Sequence, residues 1–213
     1  MQRRPLSVIN LTIMKVVGLT GGIATGKSTV AAMLRDLGAE IISADDLARE
    51  IVRPGEKAWQ EIVEAFGTKI LDKDKTIDRR KLRRIVFKDA AARKRLESIT
   101  HPRIRSLAQE RIRELAAAGA GAVVYEAPLL FENQVHLWLR PVILVASDPA
   151  TQKQRLRDRD RLSEEEIQQH LSAQMPLDEK RKLADCVIEN VGDLNELRRQ
   201  VREVWEKIRQ TES

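Results

Sequence analysis

The chain has 213 residues, 42 % hydrophobic but only 3 % aromatic, and a formal net charge of +6. That is one ordinary domain, or one core with an inserted lobe, with a core built from Leu, Ile, Val and Ala. No apolar run is long enough to span a bilayer, and a single cysteine, Cys186, excludes an internal disulfide and gives no sign of secretion.

Residues 1–13 carry Arg3 and Arg4 ahead of a mixed stretch that Asn10 and Thr12 interrupt, so they lack the continuous apolar region of a signal peptide. They read as a leader, disordered or outside the native start, and translation can equally begin at Met14. Residues 15–19 form the first apolar, β-branched strand. An amphipathic helix over 27–37 follows, closed by Gly38. Residues 40–43 give a second strand and 47–52 a short helix that Asp46 would cap. The interval 44–121 is too long for one crossover and reads as helical almost throughout, including a helix over 102–118 that opens at Pro102. Strands over 122–125 and 142–146 come next. A helix over 149–161 is capped by Asp148, with Pro149 at its first position. A charged helical insertion covers 159–184, the apolar stretch 186–188 adds a fifth strand, and a last helix runs over 194–208 with Asp193 as its cap. Alternation of strand and helix predicts an α/β fold, a parallel five-stranded sheet with helices on both faces. Cys186, inside an apolar stretch, reads as a structural thiol, and Trp59, Trp138 and Trp205 as packing residues.

Between the first strand and its helix, Gly21-Gly22-Ile23-Ala24-Thr25-Gly26-Lys27-Ser28 fits G-x-x-x-x-G-K-[ST] in full. Glycines let the backbone curl so that its N–H groups converge on phosphate oxygens, and the helix N-terminus adds partial positive charge. Lys27 can reach the β- and γ-phosphates and Ser28 can ligate Mg²⁺. An N-K-x-D guanine-reading motif does not occur, which favours ATP over GTP.

Asp45 and Asp46 follow the second strand, where ligands of open α/β sheets sit. A carboxylate there either takes the proton of an attacking hydroxyl or caps the next helix. Asp46 suits the cap, and for Asp45 both readings stand. Glu126, at the end of the third strand, is either a magnesium-side acid or a solvated strand end. Arg155 and Arg159 share a helix face, extended by Arg157 and Arg161, and either close over ATP or form a solvated face. His101, His136 and His170 do not fall at metal-ligand spacing. The net positive charge fits solvated helices, and equally an attraction for nucleotides, polyphosphate-bearing substrates or nucleic acid.

Taken in order, these residues resemble the dephospho-coenzyme A kinase family from about residue 15 to 208. The resemblance rests on Gly18-Leu19-Thr20-Gly21-Gly22-Ile23 with Gly26-Lys27-Ser28-Thr29, Ala44-Asp45 with Ala48-Arg49, Pro54-Gly55, Phe66-Gly67 and Ile77-Asp78-Arg79. It continues through His101-Pro102, Pro128-Leu129-Leu130-Phe131-Glu132, Gln152, Arg155, Arg159, Gln174, Lys180, Ala184-Asp185 and Asn190. It implies a three-layer P-loop kinase core over 14–53, 119–158 and 185–213, a helical substrate lobe over 54–118 and a helical lid over 159–184. It also implies transfer of the ATP γ-phosphate to the ribose 3′-hydroxyl of dephospho-CoA. Asp45 matches the family's catalytic aspartate, with Lys27, Arg155 and Arg159 beside it in the catalytic set. ATP falls to residues 21–29 and Asn190, the acceptor to Arg79, His101, Pro128, Leu129 and Glu132, and Mg²⁺ to Ser28. The expected partners are ATP and dephospho-CoA, with no nucleic acid and no membrane, in a cytoplasmic monomer or weak homo-oligomer.

The chain departs from the family's pattern at Ala24-Thr25, where Gly-Ser is usual, at Ser43, often an aspartate, and at Asp46, often apolar. Two other readings are another small-molecule P-loop kinase, which would not need His101-Pro102 or the 128–132 segment, and a nucleic-acid-binding NTPase, which would bind with steep salt dependence.

Overall fold

The computed structural model describes residues 14–160, 163–172 and 174–211. The expectation for residues 1–13 therefore lies outside the described residues. Strand β1 (Lys15–Gly21) leads through the glycine-rich loop into α1 (Lys27–Asp36), and β2 (Glu40–Ser43) into α2 (Ala44–Glu50). Helices α3 (Lys57–Phe66), α4 (Arg79–Lys88) and α5 (Ala90–Ala117) precede β3 (Ala122–Glu126) and β4 (Val142–Ala146). Helices α6 (Pro149–Asp160), α7 (Glu164–Ser172) and α8 (Leu177–Leu183), then β5 (Cys186–Glu189) and α9 (Leu194–Gln210), complete the chain.

The five strands form one parallel sheet in the order β2-β3-β1-β4-β5. Its central strands are buried on both faces, which is why they read as near-continuous apolar runs. One face packs on α1 and α9 through Val30, Leu34, Leu197, Val201 and Trp205. The other packs on α5 and the segment after β3 through Ala108, Leu130, Phe131 and Leu139. A third cluster, Ile51, Ala58, Ile62, Ile70, Leu82 and Ile99, joins α3, α4 and α5 to the end of α2. The interval between β2 and β3 thus carries a small core of its own. The parallel register brings Ser43, Leu19 and Glu126 level, so β2, β1 and β3 deliver their carboxyl ends to one edge.

Two local expectations are corrected. Pro102 does not open a helix: α5 begins twelve residues earlier, at Ala90, with the Asp89 side chain accepting from the Ala91 and Ala92 N–H groups, and Pro102 lies inside it. A proline there removes one ladder donor. In the same turn the Arg103 guanidinium donates to the Ile99 carbonyl at 2.6 Å and to Glu61 at 2.6 Å, tying α5 to α3. Asp46 does not cap α2 either: the helix starts at Ala44, and the Ser43 hydroxyl accepts from the Asp46 N–H at 3.3 Å. Asp46 instead pairs with Arg49 at 2.7 Å, and Asp45 is left in the first turn with no capping duty. The caps expected of Asp148 and Asp193 are present.

Candidate active site

The phosphate loop is held open by its carbonyls. Thr25 donates its hydroxyl to the Gly22 carbonyl at 2.9 Å, Arg155 donates to the Ala24 carbonyl at 3.3 Å, and Asn190 donates to the Thr25 carbonyl at 2.8 Å. Where a carbonyl is tied behind the loop, the N–H of the same trans peptide points the other way, as the Gly26 N–H does opposite the Thr25 carbonyl, while the Thr25 N–H bonds the Gly22 carbonyl at 3.3 Å. The result is an anion nest at the N-terminus of α1. Gly26 is needed twice over: its φ of +89° is left-handed, and a Cβ there would run into the Asn190 amide. Ala24 sits at φ 57°, where glycine is free of strain and an L-alanine costs about 1–2 kcal/mol. The pair Ala24-Thr25 thus keeps the loop shape at a small local cost, and the Thr25 hydroxyl braces it.

The Lys27 ammonium is mostly buried and paired with Glu126, one strand away at the end of β3. Glu126 therefore has a defined partner here and is not a solvated strand end. Ser28 and Thr29 are exposed at the mouth of the loop. Beside the loop lies a cleft of about 520 Å³ lined by Ala24, Gly26, Thr29, Arg155, Asn190 and the 192–194 turn. Arg155 reaches it from α6, held by the Ala24 and Asn190 carbonyls. Arg159 lies one turn further along α6, and its side chain is outside the described residues, as is Arg161. Arg157 is turned away from that group and pairs with Glu164.

A second, larger cleft of about 930 Å³ runs from Asp45 over the apolar faces of α4 and α5. It brings together Asp45, Arg79, His101, Pro128 and Leu129, which the sequence had nominated, with Tyr125, Arg83, Arg105, Gln134 and Trp138, which it had not. Trp138 is more than packing: its ring meets Tyr125 edge-on at 6.0 Å and lies under the Arg105 guanidinium at 5.2 Å. Arg79, Arg83 and Arg105 make this wall cationic, with His101 among them, while Leu82, Val86, Leu96 and Leu137 make its floor apolar. Glu132 is not brought to the cleft. Its carboxylate accepts from the Met175 N–H at 3.0 Å and pairs at 2.9 Å with Lys180, which is fully buried and also donates to the Pro128 carbonyl. It joins α8 to the segment after β3. His136 packs edge-on against Phe131, and the His170 side chain lies outside the described residues.

Tyr125 reports on this corner. Burial pushes its phenol up to about 12, and the Asp45 carboxylate pushes in the same direction. It is the chain's single tyrosine, so tyrosinate absorbance follows it alone. The folded protein should form no phenolate at pH 10, where the urea-unfolded chain is half ionised. The fold thus favours the neutral phenol, so this contribution to stability is full below about pH 10 and is lost as pH rises towards 12. A native-state transition at the ordinary tyrosine value would contradict the burial.

Among the described residues no group of three acidic, histidine or cysteine side chains is gathered around a metal position. Mg²⁺ typically takes only one or two protein oxygens and completes its shell with phosphates and water. The exposed Ser28 hydroxyl at the nest suits that donor set. No helix of the described residues is long and apolar enough to cross a membrane.

A family model described as dephospho-CoA kinase matches residues 15–196. The chain is 50 % identical over 194 residues to a dephospho-CoA kinase of Geobacter sulfurreducens, covering 91 % of this chain and 98 % of that one. Among solved structures, TT1252 from Thermus thermophilus shares the fold with a TM-score of 0.81 at 37 % identity, over 93 % of this chain and 99 % of that one. Dephospho-CoA kinase from Campylobacter jejuni gives a TM-score of 0.69 at 34 % identity, over 92 % and 97 %.

Proposed function

The chain belongs to the dephospho-CoA kinase family, and from that premise we propose how its residues divide the work of moving the ATP γ-phosphate to the ribose 3′-hydroxyl of dephospho-CoA. The observation that carries the reading is that β2 and β3 end level, so Asp45, two residues beyond Ser43, lines the large cleft on the same sheet edge where Glu126 holds Lys27 of the nest: the nest takes a polyphosphate, the cleft a long acceptor. Dephospho-CoA carries a diphosphate between an adenosine and a pantetheine arm. Arginines 79, 83 and 105 answer its charge, His101 offers a hydrogen bond beside them, and the apolar floor over α4 and α5 answers its arm. The helices between β2 and β3 are then the acceptor lobe, and residues 159–184 the lid.

ATP lies with its β- and γ-phosphates in the nest and its base in the smaller cleft, between Arg155 and the turn after Asn190. Lys27 leaves Glu126 for the phosphates, and its charge follows the transferring group. The acceptor hydroxyl, oriented by Asp45, attacks the γ-phosphorus. The bond to the β–γ bridging oxygen breaks, ADP departs, and the hydroxyl proton passes to Asp45. Arg155 neutralises charge on the phosphate side, joined by Arg159 from the same helix. The Ser28 hydroxyl would hold Mg²⁺, with Glu126 a candidate acid beside it, and the ion would supply charge neutralisation to the phosphates. The enzyme works on small molecules in the cytoplasm, as a monomer or weak homo-oligomer.

The test is a coupled assay of ADP release with ATP and dephospho-CoA, alongside shikimate, nucleoside and sugar acceptors. Turnover that requires dephospho-CoA and yields coenzyme A supports the reading. Turnover with another acceptor, and none with dephospho-CoA, would overturn it.

A further inference from the structure

One residue of the phosphate loop has both of its backbone polar groups, which belong to two adjacent peptides, taken by side chains from remote segments. The Ile23 carbonyl accepts from the Gln152 amide at 2.7 Å, and the Ile23 N–H donates to the Gln174 carbonyl oxygen at 3.0 Å. Gln152 is nearly fully buried on α6, and Gln174 stands between α7 and α8. The amide orientations are forced: a peptide carbonyl can only accept and a peptide N–H can only donate, so Gln152 must present its NH₂ and Gln174 its oxygen. The approach is close as well. A Cβ on Gly22 would stand 2.9 Å from the Gln152 amide nitrogen and 3.3 Å from the Leu177 side chain, so glycine at 22 is what lets these groups reach the loop. Gln152 thus heads a row of three donors, with Arg155 and Asn190 behind the next two carbonyls. Gln174 alone acts on an N–H, and it comes from the far side of α7.

We propose that Gln152 and Gln174 are positioning residues for phosphoryl transfer. Together they clamp the two peptides that flank the Ile23 Cα, fix the phosphate loop in its anion-receiving form, and tie that form to the docking of the chain on both sides of α7. This rests on the reading of the loop as the ATP site. Neither glutamine needs to touch substrate. Both backbone groups of Ile23 are partly buried, and a backbone N–H or carbonyl held away from water needs its hydrogen bond made. If either partner is removed, the peptide it holds, Ile23–Ala24 for Gln152 and Gly22–Ile23 for Gln174, can rotate, and the N–H groups beside it lose their common focus. Because the two peptides they hold share the Ile23 Cα, their effects are coupled and not additive.

The experiment uses the full chain with Gln152→Met, Gln174→Met and the double variant, methionine keeping length and volume without a strong donor or acceptor. ATP, AMP and dephospho-CoA binding are measured by calorimetry, with turnover and melting temperature alongside. Each single variant should bind ATP about threefold to tenfold more weakly, the range one net hydrogen bond provides. AMP, which lacks the β- and γ-phosphates, and dephospho-CoA should stay within about twofold, less than one such bond provides. The double variant should be weaker than either single one, by less than the product of the two. Equal losses for ATP and AMP would mean a merely structural role, and unchanged ATP binding in a folded variant no role; either result overturns the proposal. A parent protein that binds ATP but does not phosphorylate dephospho-CoA would leave the clamp standing and sink the functional reading instead.

Discussion

Lys27→Ala is expected to lower turnover on the order of a hundredfold or more while the chain stays folded. The ammonium stands at the first position of α1, and its side chain is only 15 % exposed. It is aimed at the edge where β1 and β3 end, and Glu126 holds it there. A charge already positioned and mostly out of water needs little reorganisation when the phosphates arrive, and such groups lower barriers most. Its removal has a second effect, because Glu126 is left partly buried without its cation, which costs stability by itself. The double variant Lys27→Ala/Glu126→Gln separates the two. Its melting temperature should recover towards the parent, and its turnover should not. Initial rates of ADP release and thermal denaturation of the three proteins decide this. Near-parental turnover in a folded Lys27→Ala enzyme would remove the phosphate-loop assignment.

The strands and the loop were legible because each rests on short-range chemistry. The sheet is parallel and covered on both faces, so Val123-Val124 and Ile143-Leu144-Val145 appear as continuous apolar runs. The Gly21–Ser28 pattern carries its own geometry. Two helix starts were misjudged because local signals compete. Pro102 looks like a first-turn proline, yet the apolar contacts of Leu96 and Ile99 extend α5 through it. Ser43 looks like the end of a strand, and it is also the cap that starts α2 at Ala44. The cleft walls were only partly legible. Tyr125, Arg105 and Trp138 come from β3, α5 and the connection before β4, and only packing against the sheet brings them together. The Ile23 clamp was beyond reach, since its partners stand 129 and 151 positions away. Glu132 shows the opposite limit: the family motif contains it, but its carboxylate serves Lys180 and Met175 rather than the cleft.

Asp45→Asn is expected to lower turnover by a factor of about 10² to 10⁴, the range associated with losing a positioned general base. The side chain is exposed in the first turn of α2 and lines the large cleft, on the sheet edge where Glu126 holds Lys27. A ribose hydroxyl is a weak nucleophile that loses its proton as the new bond forms. Asparagine can still accept a hydrogen bond from it, so orientation is partly kept, but it has no basic site for the proton. The fold isolates this effect, because Ser43 and not Asp45 caps α2, so the helix keeps its start in the variant. Tyr125 supplies an internal control: with the Asp45 charge gone, its phenol should ionise at lower pH than in the parent, though burial still holds it above its ordinary value. The expected pattern is therefore ATP binding and folding near the parent, an earlier tyrosinate transition, and slow transfer to dephospho-CoA. If the tyrosinate transition moves as expected while turnover stays within about twofold of the parent, far inside the range for a lost base, the carboxylate is present at the site but takes no part in the chemistry.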